Sequence, residues 1–301
     1  MRPRVGVQVI PAAGRPPIEE LVAQARDAAA AGLHAVWMGQ GFDLDSLTAL
    51  AVVGREVPGV DVGVQVVPTW PRHPLVLASQ ALTVQAATGN RLILGVGLSH
   101  RLTVERTWGL RFDDPIQHLE DHLSVLATVF ADTARLPYPI AVEGARPPRL
   151  VAGVLGRRAL AVAGRLADGV LTTFTGPRGL ANHVVPTVSN AAADAGRPAP
   201  AIIATLPVAV TDDPAGARDD LQRSFGSLAR LPSYAASLAR EGASSAVDVA
   251  AIGDHRTVRS QLEALLSAGA TELSPFLVGD PADRPRALAV LAELAGGRAA
   301  D

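Results

Sequence analysis

A (β/α)8 barrel is the fold this sequence predicts, and two observations predict it. Short β-rich runs alternate with longer helical patterns eight times within 301 residues. The strand runs are almost continuously apolar, as strands of a parallel sheet covered on both faces must be. An open, doubly wound sheet is the competing arrangement. It needs fewer strands for this length, so the count favours closure.

The elements follow in order. Residues 5–10 read as the first strand. Residues 18–31 read as a helix, with Leu21, Val22, Ala25, Ala28 and Ala29 on one stripe and an end near Gly32. Residues 35–38 are a second strand and 46–55 a second helix. The third strand, 61–68, is stopped by Pro68, and Pro74 suits the first turn of the helix 73–88. Residues 92–97 form the fourth strand and 115–131 its helix. The fifth and sixth strands are 149–153 and 170–174, with helices over 157–167 and 178–196. Residues 201–210 read as the seventh strand, 272–278 as the eighth, and 282–295 as the closing helix. Extra segments fall at 131–149 and 211–270. The second, the longest, reads as helices inserted before strand eight, so residues 1–301 are expected to form one barrel domain. The tail from residue 295 is expected to fray.

Composition removes several chemistries. There is no cysteine, and all 27 basic residues are arginine. A thiolate nucleophile, a Cys-zinc site, disulfides, a Schiff-base lysine and a P-loop lysine are therefore excluded. A net charge of −2 gives no basic excess for nucleic acid or an anionic membrane. With no apolar run of about 18–20 residues and no leader-like start, the chain is expected to be soluble and cytoplasmic.

In a barrel the chemistry sits where strands end and βα loops begin. "LILGVGLSH" ends the fourth strand. Gly95-x-Gly97-x-x-His100 breaks the G-x-G-x-x-G dinucleotide pattern, and no acidic residue follows at the end of a second strand. Another reading fits better: Gly97 leaves room for a flat ring or backbone to approach, and Ser99 and His100 offer donors. The alternative is a plain turn with a solvent-facing histidine. Gln65 is a polar residue inside an apolar strand, either a site wall or an amide paired to neighbouring backbone. At "VLGRR" a strand ends and a helix starts on two arginines, which oppose the helix dipole unless an anion is expected there; an ordinary helix start is the other possibility. His118 and His122 have zinc-compatible spacing, but Leu119, Leu123 and Leu126 take the buried stripe, so a solvated helix face is favoured. Asp43 and Asp45 read as a helix cap rather than a metal pair. No G-x-S-x-G elbow anchors a hydrolase triad.

These stretches, with "GVQVVPTWPRHP", "VLGRRALAVAGRLADGVLTTFTGPR" and "GDHRTVRSQLEALLSAGATEL", resemble the luciferase-like flavin and deazaflavin oxidoreductases, in particular the branch that uses coenzyme F420. The resemblance implies a (β/α)8 barrel with an insertion before strand eight. It implies a non-prolyl cis peptide behind the deazaflavin ring near Gln65–Val66, with Val67 and Thr69 close by. It places the coenzyme phosphate on the backbone of Val154, Leu155 and Gly156, with Arg157 adding charge. Homodimerisation is an expectation of the same kind. The sugar-phosphate and alcohol dehydrogenases of this family carry an Asp-His pair after strand two, where this chain has Gln40-Gly41. Gln40 can still bond the ring, but Gly41 moves no proton. His100 aligns with a glutamate of the sugar-phosphate enzymes, and their lysines are absent.

The expected coenzyme-binding set is thus Gln40, Gln65, Val66, Val67, Thr69, Gly97, Leu98, Ser99, His100, Val154, Leu155, Gly156, Arg157 and Thr175. His100 is the catalytic candidate, donating a proton or orienting the ring, and no metal is expected. The function implied is coenzyme F420-dependent hydride transfer to a small organic substrate. Its alternatives are an FMN-dependent monooxygenase of the same fold and a non-catalytic deazaflavin-binding protein. A metal-dependent barrel hydrolase is disfavoured by the lack of strand-end His and Asp clusters.

Overall fold

The computed structural model describes residues 2–11, 14–132 and 138–296. The tail expected to fray lies, from residue 297 on, outside the described residues. So do 12–13 in the first βα loop and 133–137 in the segment before the fifth strand.

The barrel strands are β1 (Arg4–Gln8), β2 (Ala35–Met38), β3 (Asp61–Pro68), β4 (Leu92–Gly97), β5 (Arg149–Gly153), β6 (Gly169–Thr173), β7 (Ala201–Thr205) and β10 (Glu272–Leu273). They close in the order β1-β10-β7-β6-β5-β4-β3-β2, and every pair is parallel. The outer helices are α1 (Pro17–Ala30), α2 (Ser46–Glu56), α3 (Pro74–Thr88), α4 (Pro115–Ala131), α5 (Arg157–Leu166), α7 (Val185–Asp194), α10 (His255–Ser267) and α11 (Arg284–Ala295). Prolines open several of them, where the missing N–H has no intrahelical partner to lose. Asp45 caps α2 by accepting from the Thr48 N–H at 2.9 Å, the role expected of it.

The seventh and eighth strands differ from the sequence reading. Each breaks at a proline. Pro207 separates β7 from β8 (Pro207–Val210), and Pro275 separates β10 from β11 (Phe276–Leu277). A proline has no N–H for the ladder, so the chain leaves the barrel there. The outward halves join a second, three-stranded parallel sheet in the order β11, β8 and β9 (Ala251–Gly253). Its third strand, β9, comes from the insertion, which therefore holds a strand as well as helices α8 (Pro214–Phe225) and α9 (Pro232–Glu241). The single helix expected over 178–196 is also broken. A short α6 (Pro177–Gly179) and a π-helical turn (Leu180–Val184) precede α7, because Pro186 cannot donate to the preceding turn. A second π-helical turn, Thr103–Thr107, follows β4.

The barrel lumen is layered. At the bottom, Glu272 pairs with Arg149 across the lumen and with Arg4, and Arg4 pairs with Asp61 at 2.5 Å. Above lies an apolar plug of Trp37, Ile93, Val151, Leu171 and Ile203. Trp37 fits because its neighbours β1 and β3 carry no side chain beside it: a Cβ on Gly63 would sit 2.3 Å from the indole. The main core between barrel and helices surrounds this column. A separate cluster of Phe174, Leu221, Leu238, Ile252 and Phe276 holds the insertion together.

Candidate functional site at the barrel mouth

The top layer of the lumen is built by a bulge. Val64 pairs with Leu94 but Val67 pairs with Val96, so β3 carries one extra residue. The Gln65–Val66 peptide inside the bulge is cis. Both side chains consequently turn into the lumen. Val66 lies over β4 and β5, where a Cβ on Gly97 would meet its Cγ2 at 2.5 Å and a Cβ on Gly153 its Cγ1 at 2.8 Å. The room made by Gly97 is therefore filled by a side chain of this protein and not left open for a ring. Val66 is the half-buried apolar floor of the mouth. Gln65 Oε1 accepts from Ser274 Oγ, which lies 3.3 Å from Thr205 Oγ1. This polar belt joins β3 to the ends of β10 and β7. The Gln65 Nε2 makes no hydrogen bond among the described residues.

The wall above the floor comes from the loop after β4. Ser99 has φ +58° and Phe174, after β6, has φ +52°. Left-handed backbone at a serine and a phenylalanine is uncommon, and such residues gather where a site imposes them. Ser99 turns the chain so that the half-buried His100 faces the mouth. Burial pushes the His100 pKa below its ordinary value, so the imidazole is neutral near pH 7. Its ring meets Tyr234 of α9 edge-on at 5.2 Å, and Tyr234 meets Phe174 at 5.3 Å.

The third component is the turn after β5. The side chains of Val154 and Leu155 are buried, while Gly156, Arg157 and Arg158 are exposed. Helix α5 has no side-chain cap, so its first N–H groups are free, and nothing lies within 4 Å of where a Gly156 Cβ would be. His183 braces the turn with a 2.9 Å hydrogen bond between Nε2 and the Leu155 carbonyl. Free amides, the positive end of the dipole and two guanidinium groups make a place for an anion.

Five expected residues are employed otherwise. The Gln40 amide donates to the Gly41 and Leu44 carbonyls at 2.8 and 3.0 Å and accepts from Ser46 N and Oγ at 3.0 and 2.9 Å. It staples its own loop to α2 and has nothing left for a ring. Thr175 Oγ1 is buried against Ser237 Oγ at 2.8 Å and holds α9 to the barrel. Val67 and Leu98 pack into the main core. Thr69 is 1% exposed, with its hydroxyl 3.0 Å from His118 Nε2.

The helix face carrying His118 and His122 is not solvated as expected. His118 stacks on Trp70 at 3.8 Å, and His122 is 3% exposed with no partner for Nε2 among the described residues. Leucine spacing alone did not show that the βα loop after β3 folds over this turn. Among the described residues no group of three or more His, Cys, Asp or Glu side chains could hold a metal ion, and no helix is long and apolar enough to cross a membrane. Sequence reasoning missed Tyr234, Phe174 and Ser274. Tyr234 lies 134 positions beyond His100, and no local pattern links them.

A family model described as luciferase-like monooxygenase matches residues 3–296. A protein of Mycobacterium tuberculosis, provisionally named a coenzyme F420-dependent oxidoreductase, is 30% identical over 223 residues, which is 66% of this chain and 63% of that protein. The match thus spans less than two thirds of the relative's length. Among solved structures, an F420-dependent secondary alcohol dehydrogenase superposes with a TM-score of 0.80 at 14% identity, covering 98% of each chain. The oxygenating constituent of 3,6-diketocamphane monooxygenase from Pseudomonas putida, in complex with FMN, gives 0.77 at 16% identity, again covering 98% of each. Likenesses at such identities speak to the fold alone.

Proposed function

The chain belongs to the luciferase-like monooxygenase family, and on that premise we propose that it is an oxidoreductase using coenzyme F420, with a small organic substrate held at the barrel mouth. The observation that carries this reading is the uncapped, doubly basic start of α5 on the same rim as the Val66 floor and His100. The Mycobacterium tuberculosis relative supports the choice of coenzyme.

The residues present fit such a group. A phosphate suits the free amides of Leu155 and Gly156 and the uncapped start of α5, with Arg157 beside them; the Val154 N–H, expected to share in this, donates instead to the Leu171 carbonyl at 3.3 Å. A flat ring suits the apolar upper face of Val66. When bound, the deazaflavin supplies a two-electron hydride donor or acceptor at its C5. The protein supplies the rest. Val66 sets the height of the floor, held by the recess over Gly97 and Gly153. The Gln65 Nε2 offers a donor at that floor, oriented by the Ser274 contact. His100, neutral near pH 7, presents one N–H and one lone pair. That favours an orienting or hydrogen-bonding role over that of a charged acid.

A binding comparison tests the phosphate assignment. Wild-type protein is expected to bind coenzyme F420 at least about tenfold more tightly than the same deazaflavin chromophore lacking phosphate, as two or more charge-assisted hydrogen bonds warrant. The double substitution Arg157→Ala, Arg158→Ala should shrink that ratio. Equal affinity of the wild type for the two compounds would remove the site from α5.

A further inference from the structure

Two polar side chains at the mouth are left without partners. Neither imidazole nitrogen of His100 nor the hydroxyl of Tyr234 hydrogen-bonds to any described residue, and burial lowers the pKa of the first and raises that of the second. Their rings touch edge-on. Tyr234 is not there by chance of an exposed helix. Residues 234, 237 and 241 follow i, i+3, i+7 spacing and share one face of α9. Ser237 is bound to Thr175, and the Glu241 carboxylate accepts from the Gly179 N–H at 2.5 Å and the Arg178 N–H at 3.2 Å. Two clips to the loop after β6 thus fix the face on which Tyr234 sits. Phe174 buttresses the ring from the barrel side.

The loops of the same rim carry exposed apolar side chains. Phe42 is 71% exposed and Leu102 65% exposed, on the loops after β2 and β4, and Phe42 leans on Trp108 at 6.0 Å. Arg101, beside His100, is paired with Glu105 at 2.6 Å and lies over the Phe112 ring. Large exposed apolar side chains on one rim mark a place where apolar matter is received.

Building on the function proposed above, we infer that Tyr234 and His100 form a two-point hydrogen-bond clamp for the oxygen of a neutral, apolar carbonyl compound. In the reducing direction a reduced deazaflavin, when bound, would supply the hydride that the carbonyl carbon gains. The C–O π pair becomes a lone pair on oxygen, and that oxygen takes the Tyr234 hydroxyl proton, which solvent restores. Burial raises the Tyr234 pKa, so the hydroxyl keeps its proton until then.

The test uses acetophenone and its hydrocarbon counterpart ethylbenzene, titrated calorimetrically into wild type and Tyr234→Phe, with and without the deazaflavin. The phenylalanine keeps the ring that packs on His100 and Phe174. Wild type should prefer acetophenone, and Tyr234→Phe should weaken acetophenone about fivefold to tenfold while leaving ethylbenzene and deazaflavin binding unchanged. Unaltered acetophenone affinity, equal loss of both compounds, or no ketone preference in the wild type would each overturn the assignment. If the deazaflavin itself fails to bind the wild type, the proposed function falls. The ketone preference of the protein alone still decides the role of Tyr234.

Discussion

Substituting Gly97→Ala probes how the floor of the mouth is made. The new methyl would lie 2.5 Å from Val66 Cγ2, against an ordinary carbon contact of about 3.5–4 Å. About 1 Å must be recovered. Val66 has no further room toward β5, since its Cγ1 already fills the space a Gly153 side chain would take, 2.8 Å from where that Cβ would lie. It must lift into the mouth. Overpacking of this kind costs about 1–3 kcal/mol, and for a barrel of this length each kcal/mol lowers Tm by about 2 °C. Val66→Ala removes both Cγ atoms, so Gly97→Ala in that background should cost less than about 0.5 kcal/mol. The double-mutant cycle should therefore show a coupling of about 1–2 kcal/mol, read from denaturant unfolding of the four proteins. If Gly97→Ala costs the same in both backgrounds, Val66 does not occupy the recess and the floor is misassigned.

Three further outcomes are expected. Burial holds the His122 pKa down at about 4. The unfolded chain takes up its proton near pH 6.5, so stability is full above that pH and falls by roughly 3 kcal/mol as pH drops toward 4; His122→Phe should remove that share of the acid sensitivity in denaturant titrations at pH 7 and 4.5. Gln85 accepts from the Leu92 N–H and donates to the Arg146 carbonyl, both at 2.9 Å. Gln85→Leu orphans both groups and should cost about 2–3 kcal/mol in unfolding free energy, whereas a loss below about 0.5 kcal/mol would show that water replaces the amide. Ser237→Ala should lower hydrogen-exchange protection in α9 by a factor matching about 1 kcal/mol and leave α5 unchanged. Uniform loss across the barrel would mean Ser237 acts globally.

Most of the barrel was legible because its signals are local. Strands such as 61–68 and 92–97 are apolar runs with turn residues at their ends, and helices such as 115–131 carry a leucine stripe and an opening proline. The breaks at Pro207 and Pro275 carry an equally local signal, since a proline cannot donate to a central ladder although the apolar run continues past it. The turn at Val154–Gly156 stands out in the sequence because a helix start with two arginines is anomalous by itself. The remainder of the site depends on distant pairs. Nothing near Gln40 says that its amide will be used up by Ser46 and Leu44, since the closing of that loop decides it. Gly97 was rightly singled out as a close approach, but the approaching group is set by a one-residue bulge on a neighbouring strand. Tyr234 reaches His100 only because Ser237 and Glu241 dock α9 on the loop after β6.

The choice of coenzyme is tested most directly by titrating the purified protein with coenzyme F420 and, separately, with FMN, following the fluorescence of each chromophore. Saturable binding of coenzyme F420, tighter than that of FMN and weakened by Arg157→Ala, Arg158→Ala, is the expected result. Saturable binding of FMN with none of coenzyme F420 would contradict it.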